Sequence, residues 1–171
     1  FLHDLYREAA GRWPLLDKLV PEQLPYDARS SFSLTLNHRE TFTGITHADR
    51  ALTVSQLGKL ASLEPCISNE ELQDRFVAEF RIPGHVHICS AAPGLVSERT
   101  GHTELAVTLA RMAGIPEALV GAEILHGDGA LSPEDARDRA EELGLPFVHG
   151  EEIIRAWGSI QEPHEAIPAG T

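Results

Sequence analysis

The sequence predicts an α+β fold in which helices pack against a mixed β-sheet. Three observations lead there. Ser31 to Asn37 alternates strictly, with Phe32, Leu34 and Leu36 on one face and Ser33 and Thr35 on the other, the pattern of a half-buried strand. Apolar residues recur at helical spacing in several segments. The early part is hairpin-like and the later part carries strand–helix–strand units, so strands and helices mix without regular alternation.

The size bounds the organisation. With 171 residues and 18.7 kDa, the chain suits one domain over residues 1–158, followed by a loose tail over 159–171. A hydrophobic content of 42% is enough for a core. No run approaches the roughly 18 consecutive apolar residues of a membrane span. Cys66 and Cys89 are far apart, with no C-x-x-C spacing, which fits a reduced, cytoplasmic protein. A net charge of -12 argues against nucleic acid, whose phosphates call for a basic surface. Lys18 and Lys59 are the only lysines. The opening Phe1-Leu2-His3-Asp4-Leu5-Tyr6 reads as the interior of a helix, an expectation that sequence lies upstream.

Taken in order, Phe1 to Leu19 has Leu2, Leu5, Ala9, Trp13 and Leu16 at helical spacing, with a break expected at Pro14. Pro21 to Arg29 reads as a polar loop. After the strand, Thr41, Thr43 and Thr46 surround Gly44 in a tight turn. Thr53 is expected to cap a helix bearing Val54, Leu57, Leu60, Ala61 and Leu63. Ser68-Asn69-Glu70-Glu71 has capping-box spacing and opens the next helix. Pro83-Gly84 reads as a turn, and His85 to Ser90 as a strand with His85 and His87 on one face. Thr103 is expected to cap a helix that Gly114 and Pro116 stop. Ala118 to Leu125 reads as a buried strand containing Glu123. Ser132-Pro133-Glu134-Asp135 starts a helix that ends at Gly144. Pro146 to His149 gives a short strand, and Glu151 to Trp157 a closing helix.

Chemistry gathers between Phe80 and Leu125. Arg99 to Thr103 combines a glycine, an arginine and two hydroxyls at a helix N-terminus, where free N–H groups favour a phosphate or carboxylate. An ordinary capped helix would read the same way. His102 stands at the mouth of that site. His85 and His87, at i and i+2, could converge on a metal with His102. Glu123 lies inside Leu119-Val120-Gly121-Ala122-Glu123-Ile124-Leu125, where a buried carboxylate must be paired, metal-bound or raised in pKa, and so suited to acid/base work. A solvent-facing glutamate at a strand end is the plainer reading. The residues themselves therefore reach a phosphorylated small molecule, proton-transfer groups and a possible metal, and stop short of the reaction.

Four motifs in order carry a resemblance. Phe42-Thr43-Gly44-Ile45-Thr46 with Ala48-Asp49-Arg50, Arg81-Ile82-Pro83-Gly84-His85-Val86, Arg99-Thr100-Gly101-His102-Thr103-Glu104 and Glu123 resemble the 3,4-dihydroxy-2-butanone 4-phosphate synthases of riboflavin biosynthesis. Pro25-Tyr26-Asp27 and Ser30-Ser31-Phe32-Ser33 look like the archaeal branch. The likeness runs from about Phe1 to Trp157. It implies a three-layer fold with a mixed sheet, a homodimer with active sites at the interface, and two magnesium or manganese ions per site. The implied substrate is D-ribulose 5-phosphate, which the family enolises, dehydrates and rearranges. C4 leaves as formate, and L-3,4-dihydroxy-2-butanone 4-phosphate remains.

By the same resemblance, Arg99, Thr100, Gly101, His102 and Thr103 match the substrate-binding stretch. His102 matches the metal-ligating histidine, and His85 and Glu123 match the proton-transfer residues. Thr43 lies in a segment placed near the substrate, and His87 matches no required position, which removes the H-x-H metal pair. One departure stands out. Nothing in Phe1 to Arg29 matches the family's Arg-Glu-x-Glu-Gly-Asp motif, which supplies a metal-binding glutamate and a substrate-contacting aspartate, or the reactive cysteine after it. A chain lacking its N-terminal segment is therefore expected. A non-catalytic relic that binds sugar phosphates or serves as a dimer partner is the alternative, against which His85, His102 and Glu123 together speak. A different metal-dependent sugar-phosphate isomerase or lyase is a third reading.

Overall fold

The computed structural model describes residues 2, 5–20, 24–25 and 30–161. The expected loop at Pro21 to Arg29 and the archaeal-type Tyr26 and Asp27 fall largely outside these residues. So does the expected tail beyond residue 161. The chain divides into two compact units, Phe1–Leu119 and Val120–Thr171.

The first unit is built on two strands, β1 (Phe32–His38) and β2 (Phe80–Cys89), paired antiparallel. Before them come α1 (Leu5–Ala10) and α2 (Pro14–Leu19). Pro14 opens α2 at the expected break in the first helix, since its missing N–H costs nothing in a first turn. Between the strands lie α3 (His47–Ala61) and α4 (Asn69–Glu79), and α5 (His102–Met112) follows β2. The core joins Leu36 of β1, Leu60 of α3, Leu72 of α4 and Phe80 and Ile88 of β2. Phe76 stacks on Phe80 at 5.3 Å between ring centroids, and His38 meets Phe80 edge-on.

Two local expectations change. Helix α3 starts at His47, with the Thr46 hydroxyl accepting from Asp49 N–H, so Thr53 is not its cap. Thr53 is fully buried inside the helix, where its hydroxyl accepts from His38 N–H and donates to the Asp49 carbonyl, each at 3.0 Å. That single hydroxyl ties α3 to β1. Helix α5 begins two residues earlier than expected, with Gly101 at its N-cap position, and Thr103 lies in its first turn without capping it. Ser68 caps α4 as expected.

The β1–β2 ladder is irregular in a way that matters for the site. Leu36 pairs with Val86, and Asn37 pairs with Arg81, so Ile82, Pro83, Gly84 and His85 are extruded opposite two consecutive residues. The expected Pro83-Gly84 turn is thus a bulge inside one strand. A second irregularity between Phe32 and Thr35 disturbs the predicted alternation, leaving Phe32 exposed and Ser33 buried.

The second unit contains β3 (Leu125–His126) and β4 (Gly129–Ala130), a two-stranded antiparallel hairpin, with α6 (Pro133–Glu142) and α7 (Gly150–Gln161). Ser132 caps α6, and Gly144 leaves it at φ +65°. The expected strand over Ala118 to Leu125 is not formed before Leu125, and Val120 and Ile124 are exposed. An apolar run reads as a strand by composition, but a strand needs a pairing partner, which composition cannot supply. The same holds for Pro146 to His149, which is irregular and opens on a residue with no N–H. Residues 159–161, expected in the tail, form the last turn of α7. No helix among the described residues is long and apolar enough to cross a membrane.

Candidate active site

The extruded segment of β2 leaves backbone groups without ladder partners, and side chains of β1 take them over. The N–H of His85 donates to Asn37 Oδ1 at 2.8 Å, and the N–H of Gly84 reaches Thr35 Oγ1 at 3.4 Å. Pro83 has no N–H to satisfy. Gly84 is required by contact, because a Cβ there would run into the backbone of Leu36 and Asn37. His85 is thereby held against β1 with its side chain exposed, while Asn37 is buried at 3%. Val86 and Ile88 turn inward, so the expected alternation of His85 and His87 with apolar residues holds.

The threonine-rich turn joins this cluster. Asn37 Nδ2 donates to the Thr43 carbonyl at 3.3 Å and lies 3.2 Å from Nδ1 of His85. Gly44 has φ +91°, and a Cβ there would meet the Asn37 amide, so glycine is needed twice over. Asp49 holds the turn from α3, its Oδ2 accepting from Gly44 N–H at 2.8 Å and from the Thr43 hydroxyl at 3.4 Å. These hydrogen bonds, the Gly44 N–H foremost, hold the Asp49 carboxyl below the usual carboxylate range. From β2, Arg81 donates to the carbonyls of Thr41 and Phe42. Phe42, 92% exposed, projects from this rim.

A second cluster forms where α5 begins. Glu104 is fully buried in the first turn, and its Oε1 accepts from Ala92 N–H at 2.9 Å. Its other oxygen pairs with the Arg99 guanidinium. The guanidinium lies so close to Gly101 that a Cβ there would overlap it. Glu104 thus fixes Arg99, the loop at Ala92 and the helix start as one piece. The α5 N-terminus has no side-chain cap, unlike α3, α4 and α6. Its first N–H groups, at His102 and Thr103, are therefore not claimed by a capping side chain. The approach to this helix contains Leu95, a buried non-glycine residue at φ +48°.

Of the residues expected from sequence, Arg99, Thr100, Gly101, His102 and Thr103 lie together at this helix start, with His102 and Thr100 exposed. His85 and Thr43 share the other cluster of the same unit. Glu123 belongs to the second unit, where it is exposed and outside any strand. The buried strand expected around it is not formed. Sequence reasoning gave no role to Asn37, nor to Asp49 and Glu104, although the last two lie within the resembling motifs. Glu104 had a signal, since it stands one turn before Thr108 on a helix face that turns fully inward. Asn37 continues the polar face of the alternating strand, so the pattern carried no signal of its burial.

The metal expectation meets a limit. Among the described residues no group of three or more His, Cys, Asp or Glu side chains is arranged to hold a metal ion. His102 offers one nitrogen, whereas magnesium calls for an octahedron rich in oxygen. The donors among the described residues do not by themselves constitute the site.

A family profile described as 3,4-dihydroxy-2-butanone 4-phosphate synthase matches residues 16–156. A synthase of that name from Methanothermobacter thermautotrophicus is 43% identical over 159 residues, covering 92% of this chain and 66% of the relative. One from Methanosarcina mazei is 47% identical over 161 residues, covering 92% of this chain and 64% of the relative. The crystal structure of the Candida albicans synthase superposes with a TM-score of 0.58 at 30% identity, covering 81% of this chain and 64% of that one. The chain therefore spans about two thirds of the length of these relatives.

Proposed function

The chain belongs to the 3,4-dihydroxy-2-butanone 4-phosphate synthase family, and on that premise we propose that it carries most of the catalytic domain of such an enzyme. The substrate is D-ribulose 5-phosphate, converted to L-3,4-dihydroxy-2-butanone 4-phosphate and formate in riboflavin biosynthesis. The observation that carries this reading is the uncapped α5 N-terminus braced by the Arg99–Glu104 pair. Its N–H groups, its dipole and the hydroxyls of Thr100 and Thr103 suit a sugar phosphate. Gly101 leaves room for the Arg99 guanidinium, which Glu104 holds at the helix start.

In this reading His85 acts on the sugar oxygens, and Glu123 accepts and returns protons at carbon. Enolisation and dehydration need both kinds of group. The exposure of His85 and Glu123 leaves both open to a ligand. Thr43, anchored to Asp49 and Asn37, borders the histidine. Magnesium or manganese, two ions per site with His102 as one ligand, belongs to the proposal through the family resemblance. When bound, such ions polarise sugar oxygens.

The working enzyme is proposed to be a homodimer with active sites at the interface. Exposed Phe42, Ile45 and Ile82, at 92%, 54% and 57%, support this, since apolar side chains crowded beside a site are suited to cover by a partner. A cytoplasmic location is proposed from the two free, exposed cysteines. The test is formate release from ribulose 5-phosphate with magnesium, on the protein expressed from its natural start. Release that disappears in His85→Gln supports the synthase. A folded, phosphate-binding protein that releases none points to a non-catalytic sugar-phosphate binder.

A further inference from the structure

The contact between Asn37 and His85 has a direction that can be worked out from backbone chemistry. An amide side chain ends in one oxygen and one nitrogen, and their order must be deduced from the neighbours. The Asn37 atom 2.8 Å from the His85 backbone N–H must be oxygen, because an N–H only donates. The other terminal atom, 3.3 Å from the Thr43 carbonyl, must be nitrogen, because a carbonyl only accepts. Two independent backbone groups therefore give the same orientation. Reversing the amide would set donor against donor at one end and acceptor against acceptor at the other. Asn37 cannot swing aside either, being 3% exposed and closed in by Gly44.

The same NH2 group faces His85 Nδ1 at 3.2 Å. A proton on Nδ1 would oppose the amide proton, so Nδ1 is the acceptor and the neutral ring carries its hydrogen on Nε2. We propose that Asn37 is a positioning residue that fixes His85 in the Nε2–H tautomer, so that the ring meets the substrate as a hydrogen-bond donor. This rests on the reading that His85 serves the synthase reaction. The donor would face a sugar carbonyl or hydroxyl oxygen and stabilise the negative charge that develops there on enolisation. With Nδ1 engaged by the amide, His85 in this state is not the base that takes the carbon-bound proton. That step falls to another group, Glu123 in the proposed mechanism. The bulge is what makes the arrangement possible. It removes the His85 N–H from the ladder and leaves it for Asn37 to hold.

The test is nitrogen NMR of the whole chain labelled with 15N-histidine, at a pH where the ring is neutral and with no substrate present. The His85 signals are assigned by their loss in His85→Gln. The expected wild-type pattern has a protonated Nε2 and an acceptor Nδ1. In Asn37→Asp, one carboxylate oxygen still accepts from the His85 backbone N–H, while the other now favours a proton on Nδ1. The tautomer should therefore switch. A wild-type ring protonated on Nδ1 would overturn the proposal, and so would a folded Asn37→Asp protein whose ring keeps the Nε2–H pattern. Should Asn37→Asp fail to fold, the wild-type spectrum still decides the tautomer, and a folded Asn37→Ser protein carries the second arm. There the hydroxyl can no longer hold both contacts, and the Nδ1 signal should move toward that of a solvent-exposed ring. Because no substrate is present, a missing synthase activity would count against the functional reading and leave this result standing.

Discussion

At the scale of single residues, the two clusters make different demands. His85 is exposed and, among the described residues, hydrogen-bonded through its backbone and Nδ1, so His85→Gln should leave the fold intact while lowering turnover by about 10²–10⁴-fold, the range for a lost proton-transfer group. Unchanged turnover would remove His85 from the reaction. Glu104 makes the opposite prediction, because it is fully buried and satisfies both Arg99 and Ala92 N–H. Glu104→Ala removes the carboxylate from a partly buried guanidinium and from a backbone donor, and should destabilise the chain by about 3 kcal/mol in urea unfolding. Asp49 adds a pH signature. Its carboxyl titrates lower in the folded chain than in the unfolded one, so its stabilisation is complete above the ordinary carboxylate range and fades as the pH falls through the depressed value. The difference in unfolding midpoint between wild type and Asp49→Ala should hold steady from pH 7 to about pH 5 and shrink on further acidification.

At the scale of elements, the decisive feature is the bulge that lifts Ile82-Pro83-Gly84-His85 out of β2. Gly84 lies flush on Leu36, so Gly84→Ala must push the strands apart where His85 is anchored. It should cost about 1–3 kcal/mol, the usual range for overpacking, and reduce turnover further than the stability loss alone would explain. Circular dichroism with a parallel turnover assay separates the two effects. Helices with local signals were legible in the sequence: Pro14, Ser68, Ser132 and Gly144 each act where their chemistry predicts. The bulge was not, because extrusion depends on which β1 residues β2 meets, and register is a long-range property. The α3 start was misplaced for a related reason. Thr46 and Thr53 offer equal capping chemistry, and only packing against His38 shows that Thr53 is interior.

At the scale of the whole molecule, the candidate site was legible in part. The motif residues from Arg99 to Thr103 and His85 mark positions that backbone geometry then explains, through the uncapped α5 start and the strand bulge. The residues behind them stayed hidden. Asn37 lies outside the four motifs and reaches His85 across the strand pair, while Asp49 and Glu104 lie within motifs but act through hydrogen bonds and burial that spacing alone does not reveal. Glu123 stood out in sequence as a carboxylate in an apolar run, yet it is exposed in its unit, so its anomaly does not arise from burial there. The proposed enzyme excises C4 of ribulose 5-phosphate as formate. The most direct measurement supplies ribulose 5-phosphate labelled with 13C at C4, with magnesium, to the protein expressed from its natural start, and follows the label by NMR. The label is expected in formate, with none in the four-carbon phosphate. Label retained in a sugar phosphate, or no conversion by a folded protein, would contradict the proposed reaction.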